Sequence, residues 1–150
     1  MNTIESIREA ARLANDGEVA EAKRRLLSLS DCLTELPDPL AECVLAHHLA
    51  DLQDDPHEEL RWDLISLAAA DQVTDARAAA ESLRGGRRGL YPSIHLNLAE
   101  DYLKLGDRDA ARRSVRAAGD HLDVLPDDSY GHRSRAGFAR LDAEVRDATV

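Results

Sequence analysis

Apolar residues recur at intervals of three and four along most of the chain, and no run alternates with period two between turn signals. This pattern predicts helices near 3–15, 18–34, 39–53, 57–71, 75–84, 93–105, 108–123 and 130–147, and no sheet. Gly17 and Gly106 mark helix ends, Pro37 and Pro126 mark helix boundaries, and Pro56 suits the first turn of the helix that follows it. Thr74 or Asp75 supplies an N-cap for the segment running to Leu83. In the fourth helix Leu60, Leu64 and Leu67 form one stripe while Trp62, Ile65 and Ala69 form another, so it is expected to sit centrally. The last helix sets Phe138, Leu141 and Val145 at i, i+3 and i+7, with Arg133, Arg135, Arg140 and Arg146 elsewhere, as a polar-backed cap does.

One segment carries more than periodicity. From His95 the chain reads His95-x-x-Leu98-Ala99-x-x-Tyr102, then Leu105-Gly106-Asp107, then Ala111-x-x-x-Val115. Small residues at 99 and 111 let two helix backbones approach, and Leu98, Tyr102 and Val115 fill the space around the crossing. Gly106 takes the left-handed conformation past a helix end, and Asp107 caps the next helix. Moving the pattern back from Gly106 to Gly17, an offset of 89 residues, lays Ala10, Leu13, Ala22 and Leu26 onto Ala99, Tyr102, Ala111 and Val115. At the start of that copy Ser6 and Glu9 replace the large residue and the Leu. A middle copy keeps Leu45-Ala46-x-x-Leu49, takes its second helix from Leu60, Leu64 and Leu67, and has a longer turn without glycine at Gln53-Asp54-Asp55-Pro56. These motifs resemble the tetratricopeptide repeat, in an irregular form whose turns are unequally spaced. The resemblance implies an all-α, right-handed superhelix of antiparallel helix pairs within one domain over 1–150, carrying an inserted helix and a C-terminal capping helix.

The resemblance also implies a class of work. In tetratricopeptide folds the first helix of each pair lines a concave groove that receives peptides, on the face away from the Leu-small-Tyr side. Here that face carries Ile4, Arg8, Ala11 and Asn15, then Leu40, Val44, His47 and Asp51, then Ser93, Asn97, Glu100 and Lys104, each set at i, i+4, i+7 and i+11. Some family members hold a peptide's terminal carboxylate with Lys and Asn on this face. Asn97, Lys104 and Arg8 echo that set, while Glu100 and Asp51 oppose it. The expectation is a non-enzymatic module for a protein or peptide partner, with no cofactor.

Composition agrees with a helical core. Of 150 residues 43% are hydrophobic but only 3% aromatic, and helix packing uses the Ala and Leu that dominate the rest. A net charge of −10 with few aromatic residues argues against nucleic acid as partner. Charges interrupt the N-terminal apolar residues and every apolar stretch is short, so neither a signal peptide nor a membrane span is expected, and a cytoplasmic setting is the default. Cys32 and Cys43 form no CxxC pair and read as two buried small hydrophobes placed symmetrically about Pro37-Asp38-Pro39. The loop Arg84-Gly85-Gly86-Arg87-Arg88-Gly89 is the one basic island. It lacks the Gly-Lys-Ser/Thr ending and the preceding strand of a phosphate loop and reads as a solvated connector, with docking of an acidic or phosphorylated partner through Arg84, Arg87 and Arg88 as the alternative. His47-His48-x-x-Asp51 places His47 and Asp51 four apart on one helix face, a sound geometry for a divalent metal that nonetheless has no defined closing ligand. His95 reads as a packing residue. Two other classes of function therefore stand beside the peptide groove: a metal- or small-molecule-binding helical protein using His47 and Asp51, and a self-associating subunit such as a homodimer.

Overall fold

The computed structural model describes residues 2–146, and among the described residues all regular structure is helical. The α-helices are α1 (Thr3–Asn15), α2 (Val19–Glu35), α3 (Pro39–Asp51), α4 (Pro56–Ala70), α5 (Asp75–Ala80), α6 (Tyr91–Lys104), α7 (Arg108–Gly119) and α8 (Ser129–Arg146). Single 3-10 turns lie at Arg87–Leu90 and Leu122–Val124. The main packing pairs are the consecutive helices α1 with α2, α3 with α4 and α6 with α7. The chain divides into two compact units, Met1–Gln72 and Val73–Val150. No described helix is long and apolar enough to cross a membrane.

In the first unit α1 begins with a capping box. The Glu5 amide donates to Asn2 Oδ1 at 2.8 Å while the Asn2 amide donates to Glu5 Oε2 at 3.2 Å, which satisfies two of the four orphan donors of the helix start. Ile4, Ile7 and Ala10 form its buried face. At its end Gly17 has φ +90°, the Gly17 amide donates to Ala14 O and the Glu18 amide donates to Leu13 O, a complete Schellman motif. The chain thereby turns within three residues and brings Ala22 and Leu26 of α2 into the core. Asp38 caps α3, Asp55 caps α4, and Pro39 and Pro56 open the two helices.

The central helix of this unit is α3, not α4. Leu40, Ala41, Cys43, Leu45, Ala46, Leu49 and Ala50 are all buried, and α3 packs against α1, α2 and α4. The expectation for α4 is corrected. Its buried face is Asp63, Ser66, Ala69 and Ala70, whereas Leu64 is 41% exposed and Leu60 and Leu67 are half-buried. The physical reason lies at Ser66, whose Oγ donates to the Cys43 carbonyl at 2.9 Å and lies 3.4 Å from Cys43 Sγ. That bond and the two alanines turn the small side of α4 toward α3, so Leu64 faces outward and Leu60 and Leu67 are only half-buried. The cysteine expectation is also half corrected, since Cys43 is buried but Cys32 is exposed, and both are free.

In the second unit the α6–α7 hairpin repeats the first one in detail. Gly106 has φ +78°, its amide donates to Leu103 O, and the Asp107 amide donates to Tyr102 O at 2.9 Å, as Glu18 does to Leu13. Asp107 then caps α7 by accepting from the Ala110 amide at 3.1 Å. Ala99, Ala111, Val115 and Ala118 share a core cluster with Leu96, and α8 closes it with Leu141 and Val145, against which Phe138 packs. The apolar side expected of the last helix is therefore the side that is used. Thr74 caps α5, which is shorter than expected because Ser82 takes the left-handed conformation (φ +56°) and ends it.

The basic loop is tethered, which corrects its reading as a solvated connector. Arg88 Nη2 donates to Asp123 Oδ1 at 2.9 Å and to Asp120 O at 3.0 Å, Arg84 pairs with Asp128, and Arg87 Nη1 donates to the Tyr91 hydroxyl at 3.2 Å. Two of its three glycines are closely packed: a Cβ on Gly89 would stand 2.1 Å from Arg84 O, and one on Gly85 2.7 Å from Val124 O.

Two stability predictions follow from this packing. Ala99→Phe overfills the fully buried helix crossing and is expected to cost about 1–3 kcal/mol in urea unfolding; wild-type stability in that variant would show that α6 and α7 meet elsewhere. Gly89→Ala is expected to cost a similar ~1–3 kcal/mol through the clash with Arg84 O. Arg88→Ala removes only exposed contacts and should cost at most about 1 kcal/mol, so the reverse order of the two would contradict the tight loop.

Candidate functional site

The structure places the expected groove residues unequally. In the first unit Arg8, Asn15 and Asp51 are exposed and Val44 and His47 are half-buried. Ile4 and Leu40, which begin the two stripes, belong to the core instead, because the N-terminal ends of α1 and α3 are packed in. In the second unit Ser93, Asn97 and Glu100 are half-buried and Lys104 is exposed.

What half-buries the third set is α8. It lies beside α6 and leaves a cleft of about 320 Å³ between them. Leu96 and Leu141, both buried, form its apolar floor, and Ser93, Asn97, Tyr130 and Arg133 contribute polar edges. The Tyr130 hydroxyl reaches Gly89 O at 3.1 Å and Ser93 Oγ at 3.4 Å, which fixes one end. Gly137 keeps the α8 wall low, an added Cβ there lying 3.5 Å from Leu96 Cδ1. At the other end Arg140 bridges two carboxylates, its Nη2 donating to Glu100 Oε1 at 2.5 Å and its Nη1 lying 3.7 Å from Glu144 Oε2. Arg133 is exposed and has no ion pair or hydrogen bond among the described residues. Lys104 does not join Asn97 here; it borders a neighbouring depression with Leu103, Arg140 and Glu144. On this cleft the cationic residue that accompanies Asn97 is Arg133 and not Lys104. Arg133 and Arg140 were visible in the sequence only as the polar backing of a cap, since nothing in the spacing of α8 says that it folds back along α6.

A second cluster lies on α3. His47, His48 and Asp51 bring their ligand atoms within 4.8 Å of one another, and His47 Nε2 is 3.6 Å from Asp51 Oδ2. His48 and Asp51 line a cleft of about 170 Å³ with Ala11, Ala14 and Asn15 of α1. Burial, with the positive charges of His47 and Arg8 adding to it, lowers the His48 pKa to about 4. Elsewhere His95 stacks on Tyr91 with ring centroids 5.9 Å apart, and His121 stacks on the same ring at 4.8 Å, in keeping with packing roles. The arginines of the basic loop are engaged in the pairings given above.

Comparison of the chain with protein-family models, with curated proteins and with solved structures finds no match.

The His48 environment predicts a pH dependence. With a pKa near 4 when folded and about 6.5 when unfolded, the unfolded chain takes up the proton first as pH falls. The contribution of neutral His48 is therefore complete above pH ~6.5 and declines progressively toward pH ~4. Urea unfolding between pH 7.5 and 5, where few carboxylates titrate, should show a decline in the wild type and a flatter profile in His48→Gln. Parallel profiles would show that His48 is solvated.

Proposed function

We propose that this chain is a non-catalytic, tetratricopeptide-like interaction module that binds an acidic peptide segment through the α6–α8 cleft. The observation that carries the reading is the cleft itself: an apolar floor bounded by an Asn amide and an unpaired guanidinium. An extended segment can lay an apolar side chain over Leu96 and Leu141 while a carboxylate meets Arg133 in a charge-assisted, bidentate pair and Asn97 holds the backbone. Tying Glu100 to Arg140 lessens the nearest repulsion. The matched hairpins at Gly17 and Gly106 support the repeat reading, and with it the wider proposal that first-helix faces receive the partner. On that wider proposal Arg8, Asn15, Val44 and His47 serve the same purpose in the first unit, where Asp51 limits the acidity of the segment accepted, and Lys104 adds positive charge near the α6–α8 cleft.

The test is fluorescence anisotropy with labelled decapeptides of matched hydrophobicity, acidic or basic, each with a free terminal carboxylate. Acidic peptides should bind more tightly, and Asn97→Ala combined with Arg133→Ala should weaken that binding by 2 kcal/mol or more, roughly the hot-spot threshold, with helical content and melting unchanged. Arg87→Ala with Arg88→Ala should leave affinity intact. Equal affinity for the two peptide classes, or a loss confined to the loop variant, would remove the cleft from consideration.

A further inference from the structure

We infer that His47, His48 and Asp51 form a binding site for a first-row divalent transition ion beside the α1–α3 cleft. Successive residues of a helix point about 100° apart, and a residue one turn on, three from one and four from the other, falls between them. Asp51 stands in that relation to His48 and His47, so two imidazoles and one carboxylate converge from a single helical turn, with all ligand atoms within 4.8 Å. Ligands around one such ion sit at about 2.0–2.2 Å from it, and so roughly 3–3.5 Å from each other. His47 and Asp51 are already 3.6 Å apart, and their side chains are 38% and 59% exposed, which leaves them room to rotate inward by the remaining distance. His48 is the fixed member, held against the cleft wall.

The rest of the coordination sphere has space. The cleft of about 170 Å³ admits water, and Asn15 on its α1 side offers an amide oxygen as an outer ligand. Two nitrogen donors select zinc, nickel, cobalt or copper over magnesium and calcium, which take oxygen ligands. Imidazole coordinates in its neutral form, so the site would bind more weakly as pH falls. Arg8 is the opposing group, because its charge acts on His48 and acts equally against an incoming cation. An ion bound there must outweigh Arg8, so removing Arg8 should tighten the site. The inference concerns α1 and α3 alone and does not rest on the peptide reading.

The experiment is calorimetric titration of the chelator-stripped full chain with zinc chloride, and with cobalt to follow coordination by visible absorption. Wild type should bind zinc in the micromolar range, at least tenfold more weakly in His47→Ala and in Asp51→Asn, both surface changes that leave the core untouched. His48→Ala should lose the site as well, and its melting curve separates that loss from unfolding. Arg8→Gln should bind several-fold more tightly, while His57→Ala and His132→Ala, at exposed histidines that are not members of the cluster, should match wild type. No binding up to millimolar zinc, or binding indifferent to His47 and Asp51, overturns the assignment.

Discussion

Close approach of helix backbones at alanine is the constraint on which the two matched hairpins depend. Ala22, Ala99 and Ala111 are completely buried and Ala10 nearly so, and each sits where its helix meets its partner. Alanine itself contributes little transfer energy there. Its value is that the larger neighbours reach across the crossing: fully burying Leu26 or Val115 is worth about 1.5–3 kcal/mol, realised only if the helices are near enough to exclude water from both sides. The reversal of the chain has to match, and Gly17 and Gly106 supply it with identical hydrogen-bond patterns 89 residues apart. Spacing of small residues and the left-handed glycine are thus two halves of one requirement, which is why both recur together.

The α3–α4 hairpin meets the same requirement by another route. It has no glycine at the turn and no alanine pair in the same register, and relies on Asp55 with Pro56 to restart the helix and on Ser66 bonding the Cys43 carbonyl at the contact. A serine hydroxyl placed on a backbone carbonyl satisfies itself, so it can be buried where a leucine would hold the helices apart. This explains how far the sequence could be read. Element positions were legible because caps, prolines and glycines act locally, and the burial of Ala10, Ala22, Ala99 and Ala111 was legible from the repeat. The facing of α4 was not. Apolar periodicity treats Ser66 as polar and Leu64 as core, whereas a tertiary hydrogen bond made the smaller, polar side the one that fits.

The same divide runs through the charged residues. Arg84 and Arg88 have their acidic partners 44 and 35 residues further along, at Asp128 and Asp123, a separation that no local pattern signals. A basic run read from its neighbours alone looks solvated, and becomes a tether once the segment around Leu122–Val124 folds onto it. For α8 the error has the opposite sign: its arginines look like uniform solvent-facing backing, yet Arg133 and Arg140 border the cleft with α6. The repeat resemblance points to Asn97 and Glu100 on that face of α6 and cannot point to their cationic neighbours Arg133 and Arg140, which come from a helix outside the repeat.

The proposed binding of an acidic segment by a chain with net charge −10 is a question of distance. At physiological ionic strength exposed charges farther apart than about 8 Å are largely screened, so a docking carboxylate responds to the groups at the cleft and little to the total. There Arg140 is shared by Glu100 and Glu144, while Arg133 has no partner among the described residues and is the positive charge a docking carboxylate would meet. The negative remainder acts at longer range, slowing encounter with anionic partners at low salt and losing that influence as salt rises. Added salt also weakens the contact to Arg133, so moderate ionic strength sets two effects against each other: faster approach and weaker hold. On the proposed reading such a groove gains selectivity from geometry more than from attraction, since only a segment that seats an apolar side chain on Leu96 and Leu141 brings its carboxylate within reach of Arg133.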